Sequence, residues 1–237
     1  MTARAVLFDF GGTLYDYRCF ARAESESLSE LARWAGIAAP VEAIARAHRD
    51  AMKRVFDDYR DRAFYFHRDL FGDAVRGMLA SFGKTADAVT LARYRRLQWD
   101  LHARDFALRP GVRETLAGLR RRGLHLGMVS NIDDDQLEHL LEIAGVRADF
   151  HAVLSSERAR SCKPAPGIFE QALASAGCAA GDAIFVGDSL FHDVAGASAL
   201  GLQSVLIWHR EDRDPPAGGP KPDHVIRRFD ELLEIAR

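Results

Sequence analysis

Short apolar segments that break off at a polar residue recur along this chain, and helix-spaced stretches separate most of them. Residues 5–8 stop at Asp9, 124–129 at Ser130-Asn131, 152–154 at Ser155-Ser156, and 183–186 at Gly187-Asp188; 204–207 and 223–226 complete the set. Residues 112–122, 134–144, 166–176 and 192–200 carry apolar side chains at three and four spacing. Near-continuous apolar runs are the mark of strands covered on both faces, and regular strand–helix alternation leads to parallel pairing. The expected fold class is α/β, a doubly wound parallel sheet.

The alternation is interrupted once. After the first strand, residues 21–34, 41–59, 66–82 and 87–103 are all amphipathic helix by spacing, with Gly36 and Gly83 placed as C-terminal stops. The expected organisation is an α/β core of residues 1–15 and 108–237, with residues 16–107 as an inserted helical domain. A Pro- and Gly-rich loop is expected at 214–222, before the last strand and a final helix.

Composition narrows the partners. The 237 residues are 48% hydrophobic and 28% charged with a net charge of -2, so no basic surface calls for nucleic acid or an anionic membrane. No apolar run approaches the roughly 18 residues of a membrane span. The N-terminal residues show no signal-peptide pattern, and the scattered Cys19, Cys162 and Cys178 suggest neither a disulfide framework nor a zinc site. A reduced, cytoplasmic protein acting on a small molecule is expected; the sequence is silent on oligomeric state.

In an open parallel sheet, ligands sit outside the carboxyl ends of the strands. Asp and Ser also cap helices, so each strand-ending residue has an ordinary structural role available to it. Four blocks taken together say more: Asp9-Phe10-Gly11-Gly12-Thr13-Leu14, then Val129-Ser130-Asn131, then Lys163-Pro164, then Gly187-Asp188 with Asp193 five residues on. Lys163 is one of only four lysines among 32 basic residues. In this order, at these strand ends, the blocks resemble the haloacid dehalogenase-like hydrolase superfamily, whose members are mostly magnesium-dependent phosphatases. The likeness covers residues 4–15 and 109–237. The helical insert matches only in position, as the cap of one subclass.

The resemblance implies a Rossmann-like core with a helical cap, and the following roles. Asp9 would be the nucleophile, forming an aspartyl-phosphate that splits one hard step into two easier ones. Lys163 would keep Asp9 ionised and offset charge on the transferring group. Gly12, Thr13, Ser130 and Asn131 would bind substrate. Asp9, Asp188 and the backbone carbonyl of Gly11 would hold Mg²⁺, a hard cation that takes oxygen ligands, with Asp193 acting from behind them.

One position departs from the family pattern D-x-D-G-T: its second aspartate is Gly11 here. That carboxylate serves phosphatases of the family as proton shuttle, a contribution of about 10²–10⁴ in rate. A substitute acid (Asp16, Asp133, His192 or His67) is one answer, within a phosphatase. A metal-independent dehalogenase or a phosphonatase-type C–P hydrolase using Lys53 is a second, and a catalytically weak ligand-binding homologue a third. The late Gly187-Asp188-Ser189-Leu190 lacks the D-x-x-H of a serine esterase. The aromatic run Phe64-Tyr65-Phe66 is read as packing within the insert or between insert and core, with a substrate-facing lid as the sharper alternative.

Overall fold

A computed structural model describes residues 3–209, 214–216 and 218–236. The chain divides into two compact units, Met1–Asp16 with Ala107–Arg237, and Tyr17–Phe106.

The first unit is built on six strands: β1 (Ala5–Phe8), β2 (His125–Ser130), β3 (Ala152–Ser155), β4 (Ala183–Gly187), β5 (Gln203–Ile207) and β6 (His224–Ile226). They form one sheet in the order β3-β2-β1-β4-β5-β6, with every pair parallel. All four residues of β1 and all five of β4 are buried, which is why neither shows polar alternation. Chain order runs outward from β1 in one direction and from β4 in the other, so the switch point lies between these two strands. Phe8 is level with Met128 on one side and Val186 on the other, and the Asp9 N–H donates to the Val186 carbonyl at 2.9 Å. The first residue beyond β1 is therefore fixed at the mouth of the crevice.

Phe169 meets Phe185 edge-on at 5.0 Å in a core that includes Leu7, Val129 and Ile168. It belongs to the helix at Pro166–Ala176, which starts on its proline, where the missing N–H costs nothing.

Helix α1 (Ala21–Trp34), α2 (Val41–Tyr59), α3 (His67–Ala80) and α4 (Ala88–Asp105) make up the second unit. Leu28, Leu31, Ile44, Val75, Met78 and Leu79 fill its core, and Asp87 caps α4 by accepting from the Thr90 N–H at 2.8 Å. Tyr59 and Tyr65 pack edge-on there, as do Phe64 and Phe66. Among the described residues no helix is long and apolar enough to cross a membrane.

Two segments differ from the spacing. The helix expected over 192–200 is a π-helical turn, Leu190–Ala195, followed by a short α-helix, Gly196–Ala199. Ser189 is the cause: its carbonyl accepts the N–H groups of both Asp193 and Val194, at 3.0 and 3.1 Å. Such wide turns are uncommon and tend to mark functional positions. The final helix is a single turn, Leu232–Ile235. Of the expected loop 214–222, residue 217 lies outside the described residues; the rest carries no helix or strand.

Candidate active site

Asp9 follows β1 directly and is 6% exposed. Three donors converge on its carboxylate. Lys163 Nζ reaches Oδ1 at 2.7 Å, Ser130 Oγ donates to the same oxygen at 3.2 Å, and Thr13 Oγ1 donates to Oδ2 at 2.9 Å. Ser130 comes from the end of β2, level with Ser155 on β3. The strand ends thus bring together residues more than a hundred positions apart.

Lys163 is 2% exposed and divides its ammonium between Asp9 and Asp193, 2.7 Å from an oxygen of each. Burial alone would lower its pKa, but the charges of Asp193 and Asp9 outweigh that and the net shift is upward. Its backbone is gripped as firmly. Asn131 accepts from the Lys163 N–H at 2.7 Å and donates to the Lys163 carbonyl at 2.9 Å. His192 Nδ1 lies 2.9 Å from the same carbonyl. A carbonyl can only accept, so Nδ1 carries the proton of that ring. The amide of Asn131, expected on substrate, is occupied with holding the lysine.

Asp188 follows β4, and its approach depends on a glycine. A Cβ on Gly12 would fall 2.2 Å from Asp188 Oδ2, and Gly12 has a φ of +83°, so two independent constraints exclude a side chain. Gly187 makes the same allowance for Asp193, whose Cγ would lie 2.3 Å from an added Cβ. Both oxygens of Asp193 are already used, Oδ1 on Lys163 and Oδ2 on the Ser189 N–H at 2.9 Å. The π-helical turn is what aims Asp193 back at the lysine.

Oxygens of Asp9, Asp188 and Asp193 lie within 4.8 Å of one another. Three carboxylates face one ammonium, and the imbalance falls on Asp188. Burial, with the charges of Asp9 and Asp193, pushes its pKa up to about 8 against the opposing pull of Lys163 and Arg109. Asp193 is raised too, first by burial and then by Asp9, with Lys163 opposing. An all-oxygen, charge-deficient cluster of this kind fits a hard divalent cation.

Gly11 contributes no titratable group. Of the residues considered as its substitute, Asp16 is ion-paired to Arg109 at 3.1 Å, Asp133 is fully buried, His192 is tied through Nδ1, and His67 belongs to the helical unit. Lys53 lies on α2 in that unit. Arg109 was not legible as a site residue. Its guanidinium donates to the Gly12 carbonyl across 97 residues of sequence, beyond the reach of any local pattern.

The family profile of haloacid dehalogenase-like hydrolases matches residues 3–201. Over 239 aligned residues the chain is 28% identical to ribulose-1,5-bisphosphate 5-phosphatase of Halopiger xanaduensis, covering 98% of this chain and 99% of that protein. The HAD hydrolase YfnB of Bacillus subtilis, solved bound to magnesium, superposes with a TM-score of 0.80 at 21% identity, over 100% of this chain and 99% of that one. L-2-haloacid dehalogenase of Xanthobacter autotrophicus gives 0.77 at 20% identity, over 99% and 98%. At these identities the two structures speak for the fold alone.

Proposed function

The chain belongs to the haloacid dehalogenase-like hydrolases, and from that premise we propose that it is a magnesium-dependent phosphatase acting on a small phosphate monoester through Asp9. The observation that carries the reading is the buried cluster itself. Asp9 shares a lysine with one further carboxylate and stands beside another, with their oxygens within 4.8 Å. A metal-independent dehalogenase needs a nucleophilic carboxylate and a cation to hold it; Asp188 and the glycine that admits it would serve no purpose there. The relative matched end to end makes a sugar phosphate the first substrate class to assay.

Mg²⁺ would be held by Asp9, Asp188 and the Gly11 carbonyl, and when bound it would offset charge on the phosphoryl oxygens. The chain's own residues do the rest. Lys163, Ser130 and Thr13 hold the Asp9 carboxylate in one orientation. A carboxylate oxygen of Asp9 forms a bond to phosphorus as the bond from phosphorus to the leaving oxygen breaks. Water then attacks phosphorus, releases inorganic phosphate and restores Asp9. Asn131 keeps Lys163 in place throughout. With Gly11 in the shuttle position, the leaving oxygen departs without a carboxylic acid beside it from this loop. The helical unit would act as the cap, the element that selects the substrate.

Phosphate release from an aryl and an alkyl phosphate, each with Mg²⁺ and with chelator, tests the reading. An aryl leaving group needs little protonation, so aryl turnover should be Mg²⁺-dependent and exceed alkyl turnover by about 10² or more, the span of a missing general acid. Comparable rates on both esters would place a proton donor elsewhere in the site. Absence of phosphate from both would sink the phosphatase reading in favour of halide release or ligand binding.

Cation binding has its own signature. At a hundred times its dissociation constant a ligand stabilises the folded state by about 2.7 kcal/mol. At about 2–4 °C per kcal/mol for a chain of this size, Mg²⁺ should raise Tm by roughly 5–10 °C. Asp188→Asn should remove most of that rise in a thermal melt. An equal Mg²⁺ shift in the variant would mean that the cation binds elsewhere.

A further inference from the structure

Arg109 is 12% exposed along its side chain and sits where the chain returns to the α/β unit. Nε and Nη2 both donate to the Gly12 carbonyl, at 3.2 and 2.7 Å. Nη1 reaches Asp16 Oδ2 at 3.1 Å, and the Arg109 N–H donates to the Leu14 carbonyl at 2.8 Å. Leu108 bridges Tyr15 beside it. The loop that follows the nucleophile is therefore fastened at Gly12, Leu14, Tyr15 and Asp16 to two consecutive residues.

The most telling of these attachments is the fork on Gly12. In a trans peptide the carbonyl and the following N–H point in opposite directions. Holding the Gly12 oxygen from one side therefore fixes the Thr13 N–H on the other, next in the chain to the hydroxyl that donates to Asp9. Gly12 is also where the backbone is freest to turn, because glycine populates positive and negative φ alike. Its Cα must stay put, since Asp188 packs directly against it. A rigid planar fork of two donors holds one carbonyl against rotation, which a single flexible ammonium cannot do.

We infer that Arg109 is a positioning residue for the nucleophile, locking the Gly12–Thr13 peptide and so the placement of Thr13 on Asp9, with Asp16 as its counter-charge. The inference rests on the phosphatase reading of Asp9. It also assigns Asp16 to Arg109 rather than to proton transfer.

The test uses the full chain with Mg²⁺ and an aryl phosphate, comparing kcat, KM and Tm for Arg109→Gln, Arg109→Lys and Asp16→Asn. Misplacement of a reacting group by about 1 Å costs about 10²-fold. Arg109→Gln should lower kcat by about that factor with KM within about threefold. Arg109→Lys keeps the charge but loses the fork, and should stay at least tenfold below the parent. Asp16→Asn, which leaves the fork on Gly12, should lose less than tenfold. Parental kcat in Arg109→Gln, or full recovery in Arg109→Lys, overturns the inference. Should Arg109→Gln fail to fold, Arg109→Lys and Asp16→Asn decide the matter by the same criteria. Asp9→Asn separates the two levels of failure. An inactive Asp9→Asn beside an unaffected Arg109→Gln removes this inference alone, whereas an active Asp9→Asn removes the phosphatase reading with it.

Discussion

Replacing Asp9 with asparagine should lower phosphate release by about 10⁴-fold or more while leaving the chain folded. Loss of a nucleophile acting as part of a unit removes nearly all of the unit's contribution, because the remaining groups have nothing left to assist. An amide oxygen is a poor nucleophile and forms no acyl phosphate that water can clear. The fold should survive because the change is nearly isosteric and β1 is paired through its backbone on both sides. Lys163 is not orphaned either, since Asp193 remains 2.7 Å away. Single-turnover kinetics on an aryl phosphate, with circular dichroism as the control, gives the comparison. Turnover within tenfold of the parent, in a folded variant, would remove Asp9 from the chemistry.

The opposite change, a gain, is expected from Gly11→Asp. A carboxylic acid restored at this position would protonate the leaving oxygen and then take a proton from the attacking water, an effect of about 10²–10⁴. The gain should be large on an alkyl phosphate and small on an aryl one, whose leaving group needs no help. Backbone geometry is permissive at this residue and prohibitive at its neighbour. Gly11 is not among the glycines with positive φ, whereas Gly12 is, and a side chain on Gly12 would collide with Asp188. The ratio of kcat/KM on the two esters, parent against variant, is the readout. An unchanged ratio would mean that another residue already supplies the proton, or that departure of the leaving group does not limit the rate.

Much of this arrangement is legible in the chain because strand ends announce themselves. Asp9, Ser130 and Asp188 each follow an apolar run, and a parallel sheet brings such ends to one edge whatever the intervening sequence. Lys163 stands out in an arginine-rich chain. What could not be read depends on contacts with no local pattern. The resemblance implies a substrate role for Asn131, and only the structure adds that its amide also holds a lysine backbone 32 residues away. The π-helical turn escaped because residues 190–199 keep ordinary helical spacing, while the deciding interaction is a serine carbonyl shared by two N–H groups. Arg109 belongs to none of the four blocks, and its partners, Gly12 and Asp16, lie on the far side of the insert in sequence.

The fastening of residues 14–16 to 108–109 has a consequence for the chain as a whole. The insert leaves the α/β unit and returns to it through residues already joined by the Leu14–Arg109 hydrogen bond, the Tyr15–Leu108 bridge and the Asp16–Arg109 pair. Topologically the core is closed before the insert begins. Lengthening a flexible loop between fixed ends costs only about 0.6 kcal/mol per doubling, so the entropic cost of closing the core across the insert depends only weakly on the insert's length. A site built on strand ends and tied off in this way can keep its chemistry while the inserted domain is lengthened, shortened or exchanged.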